Sequence, residues 1–416
     1  MRIAAVVLAC LGLLLAGCPK KPAQPMSPVE DFDRPLPPGE LALRKITDPD
    51  QLPDLTLACR FTYDLRKAIA HSLSYLAKPS SRRYFPYGQI SHHHAVESLK
   101  ALDAILAAPP GHEQMRDEVL RKFDVYTSVG WDGSGTVLFT SYYTPIFDAS
   151  MQRTARFRYP LYKPPAGLMK DPEGNVLGVR GADGVVRKLP PRGELEASGM
   201  LAGGELIWLG DAFEAYIAHV QGSAKLRLAD GRLVTVGYAA HNGHEYNSIA
   251  KELIREGKIA KKDLSLARLI AYFRAHPEQV SSYVDRNPRF VFFATSSGPP
   301  HGSLNEPVTR MRTIATDKEV YPRACLALID APLPLRHSGG IDVLPYRGFA
   351  LDQDAGGAIR APGRCDIYVG VGDQAGEIAG QTYSKGRLYY LFLKTQYVPL
   401  PVLKPTTTQP AETSYD

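Results

Sequence analysis

The sequence predicts a mainly β chain with helices, organised as more than one unit, and three observations lead there. A length of 416 residues exceeds what one hydrophobic core usually organises. The stretch from about Pro145 to Ala240 is strand-rich and broken by turns, with Asp230-Gly231 between Leu226-Arg227-Leu228 and Leu233-Val234-Thr235-Val236. Asp183-Gly184 follows Val176 to Val179 and precedes Val185-Val186 in the same manner. Asp-Gly between alternating apolar residues suits a tight hairpin, because glycine takes the positive φ such turns require. Helical periodicity on both sides of this stretch marks it as a small β-domain of its own, not a βαβ unit.

The chain opens on Met1-Arg2 and an apolar run from Ile3 to Leu15 that stops at Ala16-Gly17-Cys18. The run is too short to span a bilayer, so residues 1–17 read as a secretory signal peptide. Leu15-Ala16-Gly17-Cys18 fits a lipobox, which makes Cys18 the expected lipidation site. Several acyl chains on one residue anchor durably where a single chain does not. Residues 18–45 hold seven prolines from Pro19 to Pro38 and few large apolar groups, and such a stretch cannot offset its chain entropy by burial. It is expected to be a tether. Residues 401–416, rich in proline and threonine, read as a disordered tail.

A first helix is expected from about Thr62 to Leu76, with Leu65, Ile69, Leu73 and Leu76 at helical spacing. A second runs from about His92 to Leu106 after a Ser91 cap. His92, His93 and His94 are adjacent in its first turn, so their side chains diverge and make no metal site. Val137 to Thr140 reads as a strand leading into Tyr142-Tyr143-Thr144-Pro145. Later helices are expected near Tyr246 to Glu256 with Gly257 as a stop, near Leu264 to Ala275, and near Pro277 to Val284. From Phe290 the chain returns to strands, ending with Leu388 to Leu393.

Five cysteines are present; Cys10 leaves with the signal and Cys18 takes lipid. Of Cys59, Cys325 and Cys365, in an oxidising compartment, the last two are the favoured bridge, and pairing with Cys59 stays open. No Cys/His cluster suggests a metal, and no cofactor is expected. The net charge of +6 mildly favours an anionic partner, or is a solvated basic surface with none. The densest cluster of unusual residues is Asp352, Asp354, Gly356, Gly357, Arg364, Cys365, Asp366 and Tyr368. Carboxylates among glycines let backbone approach a substrate with an acid at hand; the same residues also serve any tight turn.

Phe139-Thr140-Ser141-Tyr142-Tyr143-Thr144-Pro145, Val220-Gln221-Gly222-Ser223, Gly237-Tyr238-Ala239, Asn242-Gly243-His244 and Asn287-Pro288-Arg289-Phe290-Val291-Phe292-Phe293 resemble, in order, the blocks of the membrane-bound lytic murein transglycosylase A family. The C-terminal cluster resembles that family's three-aspartate module, with Asp317, Asp354 and Asp366 in its places. The resemblance implies a double-psi β-barrel main domain from residues 46–144 and 246–400, an inserted smaller β-domain from 145–245, and a groove between them. It implies cleavage of the β-1,4 bond from N-acetylmuramic acid to N-acetylglucosamine in peptidoglycan, leaving 1,6-anhydromuramic acid ends. Asp366 matches the catalytic aspartate, and Asp354 supports it by charge or by bracing the loop.

Tyr142, Tyr143, Gln221, Tyr238 and Asn242 are the substrate-binding candidates, although adjacent tyrosines on a strand face opposite ways and only one should meet sugar. Ser141 and Ala224 stand where the family usually has glycine and are expected to add bulk near the groove. The implied partners are peptidoglycan glycan strands, the outer membrane through the lipid anchor, and a cell-wall synthesis or division complex; nucleic acid is not expected. Two alternatives stand beside this reading. One is a non-catalytic peptidoglycan-binding lipoprotein of an envelope complex. The other is a glycan hydrolase using water, with Asp352 or Asp373 as its second carboxylate.

Overall fold

The computed structural model describes residues 30–400 apart from 109–110, 172–173, 261–265 and 297, so the signal, Cys18, residues 18–29 of the tether and the tail lie outside the described residues. In chain order the strands are β1 (Leu43–Lys45), β2 (Phe123–Ser128), β3 (Val137–Thr144), β4 (Ile146–Ser150), β5 (Tyr159–Tyr162), β6 (Leu168–Lys170), β7 (Val176–Arg180), β8 (Val186–Arg187) and β9 (Glu205–Leu209). They continue with β10 (Ser223–Arg227), β11 (Leu233–His241), β12 (Val291–Ser296), β13 (Thr313–Ala315), β14 (Leu326–His337), β15 (Gly340–Asp354), β16 (Arg364–Val371) and β17 (Ser384–Leu393). The helices are α1 (Thr56–Arg60), α2 (Leu65–Ala77), α3 (His92–Ala107), α4 (His112–Lys122), α5 (Arg192–Ala197), α6 (Ala212–Gln221), α7 (Ile249–Arg255), α8 (Leu266–Ala275), α9 (Val280–Val284) and α10 (Asp373–Gln381).

Six strands close a barrel in the order β17-β14-β15-β13-β16-β3, with β3 pairing back onto β17. Closure leaves none of the six with a free edge, which removes a site for unwanted strand pairing. The pairs β13–β15 and β16–β3 are parallel and the other barrel pairs antiparallel. Val137, Phe139, Ile314, Ile329, Ile367 and Leu388 fill the interior. On part of its outside, Leu65, Ile69, Leu99 and Val119 from α2, α3 and α4 pack on Leu328, Phe349 and Leu391. Both α2 and α3 fall where periodicity places them, and the Ser91 hydroxyl accepts the His94 N–H at 3.1 Å. The three adjacent histidines diverge as expected: His92 bonds to Leu76 O, His93 to Pro399 O and His94 to Leu393 O.

A second sheet has the order β12-β11-β10-β4-β9-β5. The Asp230-Gly231 hairpin forms, with Gly231 at φ +83° and Leu228 N donating to Arg232 O at 2.9 Å. The edge strand β12 pairs with β11, Tyr238 opposite Phe293, so segments on both sides of residue 245 contribute strands to this sheet. Helices α6 to α9 bury Phe213, Ile217, Leu253, Phe273 and Tyr283 together. Within the strand-rich stretch, α6 is a helix that alternation alone conceals. Its signals were local: Asp211 caps the Phe213 and Glu214 N–H groups at 2.8 and 2.9 Å, and Gly222 closes the helix at φ +71°.

The expected Cys325–Cys365 bridge is absent: Cys59, Cys325 and Cys365 are buried free thiols. The barrel explains why. Cys365 lies on β16 and Cys325 directly precedes β14, and these strands stand three places apart either way round the ring. Facing walls of a barrel are well beyond the roughly 7 Å between Cα atoms that a disulfide spans.

Candidate active site

Strand register brings two carboxylates onto one rung. β13 lies between β15 and β16, and Ala315 is the Cα partner of both Asp354 and Asp366; Asp366 is in turn the partner of Thr140 on β3. Residues on one rung point to the same face, so all four face outward from the barrel, with the two aspartate backbones about 10 Å apart at two strand spacings. A bulge makes this arrangement possible. Ile314 pairs with Asp352, but Ala315 pairs with Asp354, leaving Gln353 as an extra residue. An uninterrupted strand would turn Asp354 to the same inner face as Asp352; the bulge re-aims it outward. Asp352 stays inside, fully buried, ion-paired with Lys318 and accepting the Thr316 and Tyr390 hydroxyls at 2.7 Å each.

The two exposed-face carboxyls have different surroundings. Asp354 accepts from Tyr142 OH at 2.6 Å, Ser303 N at 2.7 Å and Ala355 N at 2.8 Å. Asp366 accepts from the Thr140 hydroxyl. Burial pushes both above the ordinary carboxyl range, and for Asp354 the three donors pull back. For Asp366 the opposing influences are the Arg364 charge and the Thr140 hydroxyl, while the charge of Asp354 raises it further. A carboxyl with three donors is suited to stay ionised, and its neighbour with one hydroxyl is suited to hold a proton.

Both line a cavity of about 370 Å³ that Ser141, Tyr142 and Ala315 line with them and that Gln221 and Tyr238 of the second sheet and its helix complete. Tyr142 packs against Tyr368 at 5.2 Å between ring centroids. Tyr238 is 45% exposed, free to present its ring. The Gln221 side-chain oxygen accepts Tyr143 N at 3.2 Å, tying the end of α6 to β3. Two expected groove residues lie elsewhere. Tyr143 faces the barrel core, against Gly376. Asn242 is buried: its amide donates to Pro190 O and Pro288 O at 2.9 Å each and its oxygen accepts Phe290 N at 2.9 Å, so it braces β11 against the following segment.

Ser141 does line the cavity, whereas Ala224 is fully buried in the second sheet's core and adds no bulk there. Asp317 accepts from Glu319 N at 3.0 Å and Ala361 N at 2.8 Å, bracing its loop away from the cavity lining. Neither Asp352 nor Asp373, the latter exposed at the start of α10, lines the cavity, so neither is placed to be the second carboxylate of a water-using hydrolase.

Sequence reasoning missed Ala315, the floor between the carboxyls, and Gly302, where a Cβ would stand 3.0 Å from the Asp354 carboxyl carbon. It also missed His219, which accepts Val291 N at 3.1 Å and which burial holds well below its ordinary pKa, hence neutral. Pairing register and backbone proximity, which no local pattern encodes, single these out. Among the described residues no group of His, Cys, Asp and Glu could hold a metal ion. Ala315→Leu is expected to leave a folded protein, at a cost of about 1–3 kcal/mol for overpacking. Its branched side chain would fill the floor of the cavity, so turnover of the cavity's substrate should fall at least about tenfold through KM. Steady-state kinetics beside urea unfolding measure both; unchanged KM would mean that the floor does not meet substrate.

A family model described as the MltA specific insert domain matches residues 138–294, and one described as the 3D domain matches residues 312–392. The membrane-bound lytic murein transglycosylase A of Escherichia coli (strain K12) is 32% identical over 277 residues, which cover 65% of this chain and 70% of that protein. The chain belongs to the membrane-bound lytic murein transglycosylase A family. The fold agrees. A crystal structure of membrane-bound lytic murein transglycosylase from Agrobacterium tumefaciens superposes with a TM-score of 0.72 at 24% identity, covering 85% of this chain and 98% of that one. A crystal structure of Escherichia coli MltA with bound chitohexaose gives 0.64 at 25% identity, covering 89% and 99%. The family's insert model runs from the barrel strand β3 through β12 and takes in all six strands of the second sheet, and the 3D model takes in β13 to β17, which carry Asp354 and Asp366.

Proposed function

We propose that Asp366 serves in turn as acid and base in cleaving the β-1,4 bond from N-acetylmuramic acid to N-acetylglucosamine, leaving a 1,6-anhydromuramic acid end. Membership in its family makes the chain a peptidoglycan lytic transglycosylase. The observation that carries the proposal is the shared rung: Asp366 and Asp354 face one cavity across Ala315, with surroundings that favour the acid in one and the carboxylate in the other. Asp366 gives its proton to the glycosidic oxygen as the bond to C1 breaks. As a carboxylate it then takes the proton of the muramic C6 hydroxyl, whose oxygen closes onto C1. The nucleophile is already tethered to the reacting carbon, so no second carboxylate need position a water. Asp354 raises the proton affinity of Asp366 and remains ionised. Tyr142, Gln221 and Tyr238 are the groove residues suited to stacking and hydrogen bonding with sugar.

The finer architectural reading is a double-psi barrel with the second sheet as an inserted domain, supported by closed mixed pairing around six strands and by the family's insert model. The membrane reading is anchoring to the outer membrane through lipid on Cys18, supported by the lipobox and by relatives named membrane-bound. Among the described residues no helix is long and apolar enough to cross a membrane. Cys18→Ala should therefore release the protein into the soluble periplasmic fraction with its unfolding midpoint unchanged; wild type already found soluble on fractionation would sink the anchor.

Mass spectrometry of products tests the chemistry, because an anhydro end is one water lighter than a hydrolysed one. A pH series adds the acid. The donor must be protonated, so the rate should be full below the raised pKa of Asp366 and fall as pH rises through it. Asp354→Asn deletes one charge that raises this pKa, so the alkaline fall should move to lower pH. An unmoved alkaline limb would show that Asp354 only braces the loop.

A further inference from the structure

The cavity carries a second feature that the glycan reaction does not use: a concentration of positive charge where the segment leading into β12 meets the loop after Asp354. Arg289 and Arg360 both line the cavity that holds Asp366. Arg289 is half-buried, and the polar contact seen for its guanidinium is donation to His244 O at 3.2 Å; among the described residues no carboxylate lies within ion-pairing distance of it. A Cβ on Gly357 would stand 3.5 Å from Arg289 Nε, so the guanidinium lies directly against the loop that follows Asp354. Arg360 leaves the same loop and, among the described residues, forms an ion pair at 3.2 Å only with Glu245, which is 85% exposed. A solvated pair of this kind is weakly held and readily exchanged. His241 reports the same field: burial, then Arg289, Lys170, His244 and Arg360, push its imidazole down to about 4, so it is neutral at physiological pH. A desolvated cation without a carboxylate, at the wall of a substrate cavity, is a place for an anionic group of the ligand.

We propose that Arg289, with Arg360 beside it, is an anion subsite that takes a carboxylate borne on the muramic acid residue and makes the protein prefer muramyl glycans over neutral ones. The inference rests on the glycan-cleaving reading of the same cavity. Two sources share this chemistry: the lactyl carboxylate of a glycan strand stripped of its peptides, and the carboxylates of an intact peptide stem. Nothing in the placement of Arg289 requires it for proton transfer, so it acts on binding and specificity.

The test measures affinity of the full-length chain bearing Asp366→Asn, which cannot turn substrate over, for three ligands: strands with intact stems, amidase-stripped strands, and chitohexaose, which carries no carboxylate. At least one muramyl ligand should bind about tenfold or more tightly than chitohexaose, as expected of one charge-assisted contact. Adding Arg289→Gln should remove that preference with chitohexaose binding unchanged, and Arg289→Lys should keep most of it. Loss confined to stem-bearing strands assigns the stem carboxylates, and loss on both muramyl ligands assigns the lactyl group. Equal weakening of all three ligands, or none, overturns the subsite. Arg360→Gln, a change at a half-exposed side chain, provides a variant that does not depend on tolerance at Arg289 and should reduce the same preference. Release of anhydro products by wild type keeps the cleavage reading separate: its absence would sink that reading, whereas wild-type release beside an unchanged ligand preference in Arg289→Gln would sink the subsite alone.

Discussion

Asp366→Asn is expected to lower the release of anhydro-muropeptides by about 10³- to 10⁴-fold, the upper part of the range for general acid–base catalysis, because one group is asked to give and retake the proton. The amide matches the carboxylate in shape and can still accept the Thr140 hydroxyl through its oxygen. The fold should not suffer. Asp366 has its folded pKa raised above the unfolded value, so its stability contribution is present at low pH and lost as pH rises through the folded pKa. At neutral pH a neutral amide therefore relieves a cost, and the unfolding midpoint should hold or rise slightly. Product release over a pH series, with circular dichroism and urea unfolding as controls, measures both. A folded Asp366→Asn protein that released anhydro products near the wild-type rate would transfer the role to another carboxyl.

The second large effect concerns stability. Lys318 is 4% exposed and Asp352 not at all, and the ammonium meets the carboxylate inside the barrel together with the Thr316 and Tyr390 hydroxyls. Burial pushes the Asp352 carboxyl up and the Lys318 ammonium down, and each group's charge opposes the other's shift. Removing one partner leaves the other charge buried and uncompensated, so Lys318→Ala should destabilise the fold by about 3–5 kcal/mol near neutral pH. The sign of its pH dependence follows. Without the cation the folded pKa of Asp352 lies further above the unfolded value of about 3.9, so the penalty is small at low pH and grows as pH rises through the folded pKa. Urea unfolding at pH 5 and pH 7.5 should show the smaller loss at pH 5. The pair replaced together, Lys318→Met with Asp352→Leu, should recover most of the loss; a single variant as stable as wild type would show that the pair contributes nothing.

Much of this molecule is legible without coordinates, and the legible parts are local. Leu65, Ile69, Leu73 and Leu76 mark α2 because helix periodicity is a property of a few turns. Ser91 marks the start of α3, and Asp230-Gly231 marks a hairpin, because a cap or a turn is satisfied by neighbours in the chain. The helix α6 was readable too, in Asp211 and Gly222, but its apolar residues sit in a stretch whose alternation argues for strands. The family could be recognised from ordered blocks around Tyr142, Gln221, Tyr238, Arg289 and the aspartates.

What the sequence alone determined, then, is the family and the place of helices such as α2 and α3 and of the Asp230-Gly231 hairpin, since short-range order and motif order are both written along the chain. Only the tertiary structure decided which residues share the cavity. Tyr142 meets it and Tyr143 turns to the core because the pleat alternates, and the burial of the barrel interior fixes which of the two faces inward. Asn242 is spent on Pro190, Pro288 and Phe290, partners up to 52 residues away. Cys325 and Cys365 stay apart because ring closure sets them on facing walls. A single bulge at Gln353 turns Asp354 outward beside Asp366 and keeps Asp352 within, and the register that produces it belongs to three strands at once. Register between strands far apart in sequence is set by which side chains the whole core can bury, so no window of the sequence contains it.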